Sequence, residues 1–291
     1  MSIIRPSPHR AADERPILVI VGHGSPRDAA AGLATIATAL TVARGGRYRA
    51  VPALMKGEPA LPRVLQSLPP GSRAYVLPHF AGAGVFATCH IPDLVAEASG
   101  HLAEARVLPA LGESPRVAER TAALLREVGR HADAPADLLV VGHGSSAGGD
   151  ASAESLAFGL GGSDHCGAAH AVFLERAPLL TDALNRLPLG REVLVSVLLA
   201  ARGRHACMDV PDALGLPRNS ALSGPDGEAL GPIVMGERRL WLHAPLTDAR
   251  LMADAATDAA DTTLAMSGPT AVSHPAARAL DHNQGGVAAT A

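Results

Sequence analysis

Three side chains in the second half of the chain could together hold a divalent metal ion and move protons: His143, Glu175 and His205. Each stands at the end of an apolar, strand-like run. Leu138 to Val141 leads into Gly142-His143-Gly144-Ser145. Val172-Phe173-Leu174 leads into Glu175, and Val193 to Leu199 leads into the Gly203-Arg204-His205 turn, after which Asp209-Val210-Pro211 opens a helix. Neutral imidazole suits first-row transition metals and titrates near neutral pH. A carboxylate beside two imidazoles offsets the charge of a dication and accepts protons. A lone histidine in a turn is usually structural, and His101, His131, His170, His243 and His274 are read that way, with His165 solvated in a polar loop.

Residues at strand ends converge only if the strands run parallel. The chain alternates short β-branched runs with Ala/Leu-rich helical segments, beginning with Pro16 to Val21 and a helix from Asp28 to about Ala43. This order predicts α/β architecture with doubly wound parallel sheets, whose ligands bind beyond the carboxyl ends of the strands. The order also repeats. His143 lies 120 residues after His23, and Glu175 lies 120 after Met55. Pro178 lies 119 after Pro59, and Val210-Pro211 lies 119 after Ile91-Pro92. The expectation is therefore two tandem domains related by duplication, 16–131 and 137–265, between loose tails at 1–15 and 266–291.

The copies are unequal. The first keeps His23 but is read as having Met55 in place of Glu175, Phe86 in place of His205 and His90 in place of Asp209. His23, His79 and His90 lie near strand ends and form a possible second metal site, the alternative being residues left over from an ancestral one. The second copy inserts the Gly/Pro-rich RNSALSGPDGEALGP before its last strand, Arg239 to His243, and Pro245 to Asp248 then starts the final helix.

Composition narrows the partners. The chain has 291 residues, a formal charge of −3 and 2% aromatics, which gives nucleic acid neither electrostatic nor stacking support. Cys89, Cys166 and Cys207 show no CxxC spacing and no disulfide framework. The opening MSIIRPSPHRAADERP lacks an apolar signal core, and no run reaches membrane length, so a reduced, cytoplasmic enzyme with no membrane partner is expected. No Walker A sequence suggests a nucleotide, and the serines of the two GHGS turns, Ser25 and Ser145, lack the context of a nucleophile.

At these residues the chain resembles the class II tetrapyrrole chelatases, which insert cobalt or iron into sirohydrochlorin. The motifs are a strand ending in Gly142-His143-Gly144-Ser145, then Phe173-Leu174-Glu175 with Pro178, then Gly203-Arg204-His205 with Asp209-Val210-Pro211. The resemblance covers roughly residues 16 to 262. It implies insertion of Co²⁺ or Fe²⁺ into a tetrapyrrole without ATP, in cobalamin or siroheme biosynthesis, by a monomer whose halves mimic a dimer. His143, Glu175 and His205 would form the metal path. The amides of Gly144 and Ser145, with Arg202, Arg204 and Arg176, would meet the carboxylates of the pigment. Phe86 would pack on the macrocycle between the domains. A non-catalytic tetrapyrrole or metal carrier using the same cleft is the competing expectation, and turnover separates the two.

Overall fold

The structure is a computed structural model that describes residues 15–25, 32–132, 134–144, 150–200, 203–224 and 227–266. Almost all of both expected tails lies outside the described residues. The first half forms one parallel sheet from β1 (Ile17–Gly22), β2 (Arg49–Leu54), β3 (Arg73–Pro78) and β4 (Glu104–Val107), in the order β2-β1-β3-β4. The second half repeats this with β5 (Ala136–Gly142), β6 (Cys166–Phe173), β7 (Glu192–Val197), β8 (Leu230–Met235) and β9 (Arg238–His243), in the order β6-β5-β7-β9-β8. Strands β1, β5 and β7 are buried along their whole length, as their runs of Val, Ile and Leu require of strands covered on both faces, and β5 and β7 bury Asp137, Glu192 and Ser196 as well.

Helices fill the crossovers and follow the last strand of each half. In the first half these are α1 (Leu33–Arg44), α2 (Leu61–Gln66), α3 (Ile91–Ala98) and α4 (Pro115–Gly129). The second half has α5 (Ala151–Gly161), α6 (Leu180–Arg186), α7 (Val210–Ala213) and α8 (Ala249–Met266). Ser114 caps α4 as its sequence suggests, its hydroxyl accepting from the Arg116 amide, with Pro115 at the first helical position. Among the described residues no helix is long and apolar enough to cross a membrane.

The last helix of each half reaches over to the other. Helix α4 lies on β5 and β7, and α8 lies along α1. One apolar cluster therefore joins Leu18, Ile20, Val117 and Leu124 to Leu138, Val140, Leu194 and Met252. The opposite face of each sheet has a cluster of its own. Polar ties cross the same boundary: Arg116 to Asp258 at 2.6 Å, Tyr48 to Asp261, and Arg120 to the Gly227 carbonyl at 2.7 Å.

Two expectations change. The segment read as an insertion before the last strand ends, at Pro232, within β8, which pairs antiparallel with β9 at the sheet edge. Gly231 and Pro232 lie within it, and an edge strand tolerates a proline that a central one does not. The second change is one of register. Gly22 pairs with Leu54, and Gly142 pairs with Phe173. The Leu54 amide donates to the Pro59 carbonyl at 2.8 Å, as the Phe173 amide does to that of Pro178 at 2.9 Å. Two residues past each strand end stand Lys56 and Glu175. Lys56, not Met55, is the counterpart of Glu175; Met55 matches Leu174, and both pack into the apolar cluster beneath their own sheets.

Candidate metal site at the ends of the second sheet

The site forms where the chain's crossovers diverge, β5 passing to β6 on one side and β7 lying on the other. This is the switch point of a doubly wound sheet, where side chains from adjacent strand ends meet over an open crevice. His143 follows β5 directly, and its carbonyl accepts from the Glu175 amide at 3.1 Å, which carries the β5–β6 pairing past the sheet and places Glu175 beside it. His205 opens a π-helical turn, His205–Asp209, that leads into α7. Such turns are rare and recur at functional sites.

The three expected residues do come together. His143 Nε2 and His205 Nε2 lie 2.8 Å apart, with the rings at 84°. Glu175 Oε1 is 3.7 Å from the first and 3.8 Å from the second. One ligand atom from each falls within 4.8 Å of the others, and among the described residues this is the one group of three or more His, Cys, Asp or Glu so arranged. All three remain partly open to solvent, so a hydrated ion can reach them.

The fourth member is Asp209. Its Oδ2 accepts the Nδ1–H of His205 at 2.7 Å, which leaves the Nε2 lone pair of His205 aimed at the centre of the cluster. Sequence reading gave Asp209 a place in the motif but no role at the site. The signal was available, since it lies four positions after His205, one helical turn on.

The residues expected to grip an anion are placed differently. Gly144 is buried at φ +90°, and its amide already donates to Asp150 Oδ1 at 3.1 Å. A side chain there would meet the Arg176 amide at 2.9 Å, so glycine is required for the turn. Arg176 is held by Asp150 at 3.0 Å and Glu154 at 2.7 Å, with its guanidinium carbon over the Phe173 ring, 3.5 Å from the centroid. Both groups therefore brace the His143 turn and are not free to hold a pigment carboxylate. Arg204 is 78% exposed, and among the described residues its ion pair is a loose one, with Asp209 at 3.8 Å, which leaves its donors available. Ser145 and Arg202 lie outside the described residues.

The expected second site does not assemble as a ligand set. His79 is fully buried, its Nε2–H donating to the Leu246 carbonyl at 2.7 Å and its Nδ1 accepting from the Thr35 hydroxyl at 3.1 Å. Burial lowers its pKa to about 4, so it is a neutral tie between the halves and has no lone pair for a metal. His23 and His90 stay at the first sheet's strand ends, each meeting the ring of Phe86 edge to face at 5.0 Å. Burial, and to a smaller degree the charge of Lys56, hold His23 below the usual imidazole range, against the pull of the Gly24 carbonyl. Phe86, expected against a macrocycle, is partly buried at the centre of this group.

The sequence model of the CbiX family matches residues 17–128 and again 137–263, which is most of the chain and both of its halves. The chain belongs to the CbiX family. No protein with a curated description matches it. Among solved structures it is similar to CbiX described as the terminal enzyme for siroheme biosynthesis in denitrifying bacteria, at 25% identity and a TM-score of 0.61, covering 84% of this chain and 99% of that one. It is also similar to SirB from Bacillus subtilis with Fe³⁺, at 14% identity and a TM-score of 0.64, over 87% and 97% of the two chains. DR2241 from Deinococcus radiodurans, a multi-domain protein with two additional domains, gives 20% identity and a TM-score of 0.62; the match covers 85% of this chain and 54% of that one. The last two show the fold, and the two-copy match of the CbiX family establishes the duplication.

Proposed function

We propose that this CbiX-family chain inserts a divalent first-row metal ion, cobalt or iron, into sirohydrochlorin or a related tetrapyrrole without a nucleotide. The observation that carries the reading is the convergence of His143 Nε2, His205 Nε2 and Glu175 Oε1 at one set of parallel strand ends. Support from relatives is of the same kind: a CbiX described as the terminal enzyme of siroheme biosynthesis, and a SirB sirohydrochlorin chelatase in complex with cobalt.

In this reading the two imidazoles replace water on the incoming ion, and Asp209 keeps His205 in the tautomer that presents its Nε2 lone pair. Two neutral nitrogens hold a dication loosely enough to release it to four pyrrole nitrogens. Insertion exchanges one M²⁺ for two N–H protons. Glu175 takes the first, and an imidazole vacated by the departing ion takes the second before both pass to solvent. Arg204 stands at the exposed edge of the site, where a carboxylate of the pigment can meet it.

The test is incubation of the purified protein with sirohydrochlorin and Co²⁺ or Fe²⁺ without oxygen, followed by absorbance. Many turnovers per protein are expected. Conversion that stops at one equivalent identifies a carrier and overturns the enzymatic reading.

A further inference from the structure

The first half retains a copy of the metal site with its shape kept and its charge reversed. Strand register puts Lys56 where the second half has Glu175. A matching π-helical turn, Phe86–His90, puts Phe86 where His205 stands and His90 where Asp209 stands, while His23 keeps the place of His143. Lys56 Nζ lies over the Phe86 ring, 5.7 Å from its centroid. Phe80 stacks with that ring at 6.2 Å, and His23 and His90 flank it.

This group contains no carboxylate, and among the described residues no acid pairs with Lys56. The chain has 25 Lys and Arg residues, and Lys56 is its single lysine. A compact ammonium over an aromatic face, beside two imidazoles, repels a dication and suits an anion. The strand ends of the two halves are also joined. His79, the residue before Phe80, binds the Leu246 carbonyl beyond β9, and the 3₁₀ turns Leu111–Glu113 and Pro245–Thr247 pack on each other. Both groups therefore belong to the side of the molecule where the two sets of strand ends meet.

We infer that Lys56, held over the Phe86 ring that His23 and His90 flank, is an anion subsite that takes a rim carboxylate of the tetrapyrrole while the second half delivers the metal. The inference rests on the proposed function and assigns the two halves different tasks: one offers the ion, the other grips the macrocycle. The Lys56 ammonium donates to the carboxylate, and the ring of Phe86 fixes where that charge stands.

The experiment is fluorescence titration of the intact protein with metal-free sirohydrochlorin, for the wild type, Lys56→Met and Lys56→Arg, at low and high salt. Lys56→Met keeps the apolar stem and removes the charge, so its Kd is expected to rise roughly fivefold, as for one partly solvated ion pair. Lys56→Arg should stay within about twofold, and salt should weaken the wild type more than Lys56→Met. Equal Kd for the wild type and Lys56→Met overturns the subsite and leaves chelation standing. Equal losses in Lys56→Met and Lys56→Arg assign the effect to packing and overturn it too. A wild type that binds no pigment removes the subsite together with the proposed function.

Discussion

Replacing Asp209 by Asn isolates the contribution of one charge to the metal site. The carboxylate accepts from His205 Nδ1 at 2.7 Å, and Asn preserves the shape of that acceptor while losing its charge. A hydrogen bond to an ionised acceptor contributes about 1.5–3 kcal/mol and one to a neutral acceptor about 0.5–1.5 kcal/mol, so the difference is on the order of 1 kcal/mol. Asp209 is 30% exposed, which places the effect at the lower end. Part of the Asn population also turns its amide toward the ring, favouring the tautomer that protonates Nε2 and closes the lone pair. Together these predict Co²⁺ binding weakened roughly tenfold, in line with the effect of removing a group that orients a ligating histidine. Asp209→Ala, which removes the acceptor altogether, should lose more. Titration with Co²⁺, followed by its visible ligand-field absorption, reads the change, with circular dichroism as the control on folding. A Kd within twofold of the wild type, in a normally folded Asp209→Asn protein, would show that Asp209 does not govern His205.

Other substitutions probe the remaining parts. Glu175→Gln keeps the shape of the side chain beside both imidazoles and removes its basicity, so turnover should fall more than tenfold while metal-free pigment affinity changes little; loss of pigment affinity with turnover per bound pigment intact would reassign Glu175 to binding. His143→Ala should abolish most Co²⁺ binding, whereas His23→Ala, which faces Phe86 and Lys56, should leave it within about twofold. Equal damage from the two in a Co²⁺ titration would extend the metal path into the first half. His79 is neutral in the fold, with a pKa near 4 against the ordinary 6.5. Unfolded chains thus bind the extra proton first, and stability should fall as pH drops from about 6.5 to 4, by up to about 3 kcal/mol. His79→Gln should be less stable at neutral pH and lose less on acidification; thermal melts that fall in parallel with the wild type would remove His79 as a source of the pH dependence.

Much of the site was legible because each of its three residues ends an apolar run, and parallel strands bring such ends together. The register of the first copy was not. Counting from the GHGS turns gives an offset of 120, yet from the second strand onward the pairing is offset by 119, as Pro59 and Pro178 already hinted. One residue of slip moved the comparison from Lys56 to Met55 and hid the change of charge. Strand β8 escaped notice because its pattern, exposed at Gly231, Pro232 and Val234, carries neither the alternation nor the apolar density of a core strand. The inward use of Arg176 depends on Asp150, which lies 26 residues away across a crossover and has no local signature. Nor does the amphipathic pattern of α4 say which sheet it will cover.

That last point bears on how such a chain could arise. Because α4 covers β5 and β7 while α8 lies along α1, one repeat alone leaves its own apolar surface bare and offers its helix to nobody. Only two copies close both faces, so the unfused repeat would have been an obligate symmetric pair. In such a pair every substitution lands twice, and exchanging a histidine for phenylalanine would erase both sites at once. Joining the copies in one chain breaks that bond between them. One half could then abandon metal for a cation of its own while the other kept its two imidazoles and carboxylate.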